Sequence, residues 1–253
     1  MTQTKPFRLI TIPISHYCEK VRWALTKQKI SFVEEAHMPP FHLLATAAVG
    51  GKLTPVLVTE EGTFTDSTDI LKYLDSLSST PIKLFPENLE LRRQVEELEE
   101  LFDEKLGVAT RLWGYSNLIS DRKLIKAAWS NGVPFFETMF FPVVFPAMQQ
   151  LVHKKFGVTA NSGKQAYTEI QQLFEQVSQI LADGRKYLVG DKVSIADITF
   201  AALAAPIIAP PEHPKSRKNY LWELPAQVLF EVEQLRETVA GKFALNMYAT
   251  ERY

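Results

Sequence analysis

Ser15-His16-Tyr17-Cys18-Glu19-Lys20-Val21-Arg22-Trp23-Ala24-Leu25 is the stretch that decides the fold. It follows Phe7–Ile12, a run rich in β-branched residues that ends at Pro13, and it places Val21, Ala24 and Leu25 at helical spacing. A strand therefore gives way to a helix, predicted over Tyr17–Gln28, with a hydroxyl and a thiol three residues apart at the junction. The first N–H groups of a helix lack backbone partners and its dipole is positive there, so an anion such as a thiolate is favoured beside them. Ser15 reads as a donor to such an anion and equally as a helix N-cap. Cys18 reads as a nucleophile or as a small buried apolar residue. His16 has no evident carboxylate partner and reads as a surface or hydrogen-bonded histidine, so no triad follows.

Downstream, Ile30–Glu34 has strand character and completes a βαβ opening. A looser piece with Pro39, Pro40, Gly50 and Gly51 leads to Pro55–Thr59 and Thr63–Thr65, which flank Glu60–Gly62 as a hairpin. Ser67–Leu77 is helical, with Ile70, Leu71 and Leu74 on one face. The order is β-α-β-(α)-β-β-α. In Lys52-Leu53-Thr54-Pro55-Val56-Leu57 the proline opens a strand; a cis peptide there would turn the backbone of Thr54 outward to pair with an extended ligand. Asp66 and Ser67, at the next helix start, fit an α-ammonium and an α-carboxylate, or simple capping.

Strands then give out. Ser78–Asn88, with Ser79, Thr80, Pro81 and Pro86, has linker composition, and helical patterns follow over Glu90–Leu106 and Lys164–Ala182. Ser194 and Asp197 form an S-x-x-D capping box ahead of Ile198–Leu203, which reads as a folding device. The chain thus divides into an α/β domain at 1–77, a linker at 78–88 and an all-α domain at 89–253.

Charge narrows the function classes. Lys plus Arg number 28 and Asp plus Glu 29, a net charge of −1, with no excess to attract nucleic acid. Cys18 is the single cysteine, which rules out an internal disulfide or a multi-cysteine metal site and fits a cytoplasmic location. Pro13 and His16 cut the first apolar run short of a secretory leader. Val133–Met148 is the most apolar segment, but Glu137, Pro134, Pro142 and Pro146 interrupt it; it is expected to be too short to span a bilayer and to be buried or pocket-lining, with no membrane partner.

Together the Ser15 turn, Thr54-Pro55, Asp66-Ser67 and the Ser194–Asp197 box resemble the cytosolic glutathione transferases. The resemblance runs from about Phe7 to about Leu203 and is weakest between Asn117 and Gly163. The likeness is greatest to serine-type classes whose turn reads Ser-Pro-Phe before a helix with Val-Arg; here His16 replaces the proline. The tail from Arg236 to Lys242 and Met247-Tyr248 resembles bacterial relatives.

The resemblance implies a thioredoxin-like N-terminal domain, an all-α C-terminal domain and a homodimer. It implies Ser15 as the catalytic donor to the glutathione sulfur, and Lys52, Thr54, Pro55, Asp66 and Ser67 as glutathione-binding residues. A substrate site formed by Tyr17, Arg111, Trp113 and Tyr115 would face Ser15 across the domains. Glutathione is the expected co-substrate, without a metal, and small apolar electrophiles or peroxides the expected targets. Two alternatives are a non-catalytic glutathione- or apolar-ligand-binding protein of this fold, and a thiol reductase or lyase working through Cys18. Cys18 falls on the second, not the first, cysteine position of a glutaredoxin-type C-x-x-C, which disfavours the latter.

Overall fold

The computed structural model describes residues 5–77, 83–214 and 224–253. Strand β1 (Phe7–Thr11) is followed by α1 (His16–Lys27), β2 (Phe32–Ala36), α2 (His42–Ala47), β3 (Val56–Val58), β4 (Thr63–Phe64) and α3 (Ser67–Leu77). The four strands lie in the order β2-β1-β3-β4, with β1 parallel to β2 and antiparallel to β3. A small mixed sheet of this kind is the thioredoxin-like arrangement expected. Strand β2 begins two residues later than the sequence suggested. Lys29 adopts a left-handed conformation (φ 56°) and the Ile30 N–H closes back on the Leu25 carbonyl at 3.0 Å, so the end of α1 consumes those residues.

The rest is helical: α4 (Leu89–Leu101), a π-helical turn (Phe102–Leu106), α5 (Gly107–Leu118), α6 (Arg122–Trp129), α7 (Phe135–Phe156), α8 (Ala160–Ile180), α9 (Ile195–Ile208), α10 (Ala226–Glu237) and α11 (Val239–Glu251). The single helix expected over Glu90–Leu106 is therefore broken by the π turn. Residues 78–82 of the expected linker lie outside the described residues. Its remaining part is held firmly, since Leu84 and Phe85 are buried, the Leu84 N–H donates to Asp75 Oδ1 at 2.7 Å, and the Leu84 carbonyl accepts the Ile195 N–H at 2.9 Å.

The main core is continuous across both parts. Leu9, Val21, Leu25, Leu57 and Leu74 from the sheet and its helices join Phe102, Phe174, Phe200 and Met247 from the helical part. Helix α9 is buried nearly all round and starts at the predicted capping box, where Asp197 Oδ2 accepts the Ser194 N–H and hydroxyl at 2.7 and 2.8 Å. The last residues fold back on α1. The Trp23 indole N–H donates to the Glu251 carbonyl at 3.1 Å, and Arg252 Nε meets Glu19 Oε1 at 2.6 Å in a buried ion pair.

A second, separate core lies beside the first. Met38 after β2, Ile119, Ile125 and Trp129 around α6, and Phe141, Phe145, Met148 and Val152 of α7 form it. Here two expectations fail. The apolar stretch runs on to Phe156 and makes one 22-residue helix, long and apolar enough to cross a membrane by length and composition, with Pro142 and Pro146 inside it. It is also only partly buried. Phe135, Phe136, Met139, Phe140 and Val143 are exposed, because the stripe of Glu137, Phe141, Phe145, Met148 and Val152 faces the body of the protein, with Phe136 and Phe140 at its edge against Phe41. Buried Glu137 anchors that stripe, accepting the Met38 N–H at 2.7 Å and pairing with His37 Nδ1 at 2.6 Å. Gly157, left-handed at φ 60°, stops the helix.

Candidate active site

The β1–α1 junction forms one wall of a cleft of about 940 Å³ between the α/β part and the helices. Ser15 is the N-cap of α1, with Oγ accepting the Cys18 N–H at 3.4 Å, so the capping reading is correct and leaves the hydroxyl at the cleft wall. Thr54 lines the same cleft, and the Thr54–Pro55 peptide is cis, as the sequence suggested; Pro39–Pro40 is a second cis peptide that it did not.

Cys18 lies fully buried behind this wall, with the hydroxyls of Ser15 and Thr54 as hydrogen-bond partners. Burial pushes its thiol above the ordinary range, against the opposing pull of Arg22 and those hydroxyls. A buried, protonated thiol is a poor nucleophile. That weakens the Cys18-dependent alternative.

The two residues after Ser15 are tied to the helical part. His16 Nε2 lies 2.9 Å from the Gly107 carbonyl and the Tyr17 hydroxyl donates to the Asp103 carbonyl at 2.7 Å. Both acceptors sit at the π-helical turn, where the altered backbone register leaves carbonyls for outside partners. Gly107 has to be small, since a Cβ there would fall on the Tyr17 hydroxyl. Burial takes His16 down to about 3 and Tyr17 up to about 12, so both are neutral near pH 7.

Arg111 lies 5.8 Å from the Tyr17 ring and 4.8 Å from the Phe156 ring, and Tyr115 stacks on Phe156 at 5.5 Å. Tyr17, Arg111 and Tyr115 thus share the cleft with Ser15 and Thr54. Trp113 does not, and its place among substrate residues is corrected: its ring is buried in the main core and its N–H donates to Glu231 Oε2 at 2.6 Å. Two residues on along α5 from Arg111, it points the opposite way.

Lys52 and Asp66 are exposed and Ser67 is buried, and all three lie outside the cleft lining. Asp66 Oδ1 caps α3 by accepting the Thr68 and Asp69 N–H groups at 2.9 and 3.2 Å. The buried Ser67 hydroxyl donates to Asp103 Oδ2 at 3.4 Å, and Asp103 in turn pairs with buried Lys20, which also meets Glu99 at 2.6 Å. The α3 start therefore rests on a buried charge network that sequence reasoning missed, because its members come from α1, α3, α4 and the π turn. The far wall was missed as well: His42, Lys123, Lys126, Met148, Val152 and Lys155 line it. Among the described residues no group of three or more His, Cys, Asp or Glu is placed to hold a metal ion.

This two-part architecture has a family. The model for the glutathione S-transferase N-terminal domain matches residues 9–81, and that for the glutathione S-transferase C-terminal domain matches residues 138–217, together more than half of the chain. No curated protein matches it. Among solved structures it is similar to glutathione transferase GSTFuA3 from Phanerochaete chrysosporium, at 16% identity over 98% of each chain with a TM-score of 0.63. It is also similar to a glutathione S-transferase from Rhodospirillum rubrum, at 19% identity over 98% of this chain and 100% of that one with a TM-score of 0.57. Poplar glutathione transferase F1 shares 15% identity over 97% and 99% of the two chains, with a TM-score of 0.58. At such identities the likeness is one of fold. With both of the family's domains matched in order, the chain belongs to the glutathione S-transferase family.

Proposed function

We propose that this chain is a serine-type glutathione transferase, binding glutathione through residues 1–77 and conjugating its thiolate to an electrophile held against the helical domain at 89–253. The observation that carries this reading is the Ser15 hydroxyl, held by its capping bond at the N-terminus of α1, on one cleft wall with Thr54. Glutathione's cysteinyl backbone pairs with Thr54, its sulfur meets the Ser15 O–H and the first N–H groups of α1, and its γ-glutamyl end reaches toward Asp66 and Ser67. Lys52 and Pro55 complete that surface. A free thiol with a pKa of about 8.5 is a few per cent ionised at neutral pH; lowering it by about two units, worth about 2.7 kcal/mol, makes it mostly thiolate. The hydroxyl donor and the helix dipole both act in that direction.

Tyr17, Arg111 and Tyr115 hold the electrophile, and the thiolate attacks its carbon; attack on a peroxide oxygen is a second reaction open to the same thiolate. The protein works as a cytoplasmic homodimer, which sedimentation would test.

Glutathione binding by calorimetry, with the ultraviolet absorbance of the bound thiolate followed against pH, tests the core of the reading. The expected result is a bound thiol pKa about two units below the free value that returns to normal in Ser15→Ala, with activity at neutral pH falling by about 25-fold as the thiolate fraction falls. Binding with an unshifted thiol would instead favour a non-catalytic glutathione-binding protein. Conjugation lost in Cys18→Ala but kept in Ser15→Ala would revive the Cys18 chemistry.

A further inference from the structure

The far wall of the cleft is lopsided in charge. Arg111, Lys123, Lys126 and Lys155 line the cleft, and among the described residues no Asp or Glu does, in a chain whose total charge is −1. Beside them on that wall stand the apolar Leu118, Ile125, Met148, Val152 and Phe156. Two of the cations share one ring: Arg111 Cζ lies 4.8 Å and Lys155 Nζ 5.6 Å from the Phe156 centroid. Among the described residues Arg111, Lys126 and Lys155 meet no carboxylate, whereas the buried arginines Arg22 and Arg252 are ion-paired. Like charges gathered on an apolar wall repel one another and favour an anion between them.

The field is felt by the neighbours. Beyond the main effect of burial, Arg111 lowers His16 and Lys155 lowers His42, which stands at about 4.

We infer that the electrophile site takes an apolar molecule bearing an anionic group, a long-chain or aryl carboxylate, whose carboxylate is read by Lys126 and Lys155 with Arg111 beside them. This names the substrate class of the site proposed above and rests on that reading. The apolar body lies along Ile125, Met148 and Val152, the reactive carbon faces Ser15, and the carboxylate meets the cations contributed by α5, α6 and α7. Of these residues Arg111, Ile125 and Lys126 fall between the two matched family segments, whereas Met148, Val152 and Lys155 fall inside the second.

Decanoate and its methyl ester, nearly alike in apolar surface and different in charge, provide the test. Their affinities are measured by calorimetry on the native protein with and without saturating glutathione, on Lys126→Met/Lys155→Met, and on Lys164→Met as a control outside the cleft. Both substituted lysines are exposed and methionine keeps the apolar stem, so the fold is retained. The expected result is decanoate binding at least about tenfold tighter than the ester, a preference that shrinks with added salt, disappears in the double variant and survives in Lys164→Met. Equal affinity for the two, or a preference undiminished in the double variant, would overturn the inference. Should native protein fail to bind glutathione yet keep the lysine-dependent preference, the anion site stands and the transferase reading falls.

Discussion

The two walls of the cleft are built on different principles. The Ser15 wall is an offshoot of the main core, where the strand ends, a serine caps the helix and a threonine precedes a cis proline. The α6–α7 wall stands on its own small core of Met38, Trp129, Phe141 and Phe145, fixed to the sheet side by Glu137. The Ser15 cap joins residues three apart before its helix is tied to Asp103 and Gly107, whereas the other wall is set from the start by partners about a hundred residues apart, as with Met38 and Glu137. In the function proposed above, the first wall serves the glutathione thiolate and the second selects the electrophile.

The largest separation of the two walls should come from acid. His16 sits buried and neutral at about 3, against about 6.5 in an unfolded chain, so below pH 6.5 the unfolded state binds the proton more readily. Its contribution is complete above pH 6.5 and is lost as pH falls toward 3, amounting to about 3 kcal/mol between pH 7 and pH 4. His16→Gln, which keeps a donor for the Gly107 carbonyl, should flatten that part of the stability-versus-pH curve from denaturant melts. An unchanged slope would mean that another group carries it.

Next in size is Glu137→Gln, which takes one acceptor from the Met38 N–H and His37 pair. Leaving a buried polar group unmet costs about 2 kcal/mol, a fall in Tm of about 4–8 °C. Apolar-ligand affinity should weaken while glutathione affinity holds; equal loss of both would show the walls to be one unit. Gly107→Ala, whose methyl must displace the Tyr17 ring, should cost about 1–2 kcal/mol and about tenfold in activity, seen by calorimetric melting and steady-state rates. Val143→Thr, on the exposed side of α7, should shift stability by no more than about 0.5 kcal/mol. A larger drop would mean that this side is covered in solution.

The same contrast explains what could be read from the residues alone. Capping is encoded locally, so Ser15, Asp66 and the Ser194–Asp197 box stood out, and with them the mixed sheet and the two-part plan. Tyr17, Arg111 and Tyr115 line the cleft, whereas Trp113 turns into the core, where Glu231 of α10 supplies its partner. Lys52, Asp66 and Ser67 are placed by the fold beyond the cleft lining, and the buried Lys20–Glu99–Asp103 network beneath α3 had no local signature. The length of α7 was misjudged because its prolines were read as breaks. An available signal went unused: between Leu118 and Val158 the acids are Asp121 and Glu137 alone, against Arg122, Lys123, Lys126, Lys154 and Lys155. That bias marks the cationic wall.

The closure of the chain's last residues on α1 also governs the order of events during biosynthesis. Glu19 and Arg252 are 233 positions apart. At about 5–20 residues per second the ribosome needs about 10–50 s to deliver the guanidinium after the carboxylate. Throughout that interval Glu19 has Arg22, three residues on, as an ion-pair partner but not yet Arg252, and Trp23 lacks its acceptor. The helix that carries Ser15 is thus completed only well after it has been made.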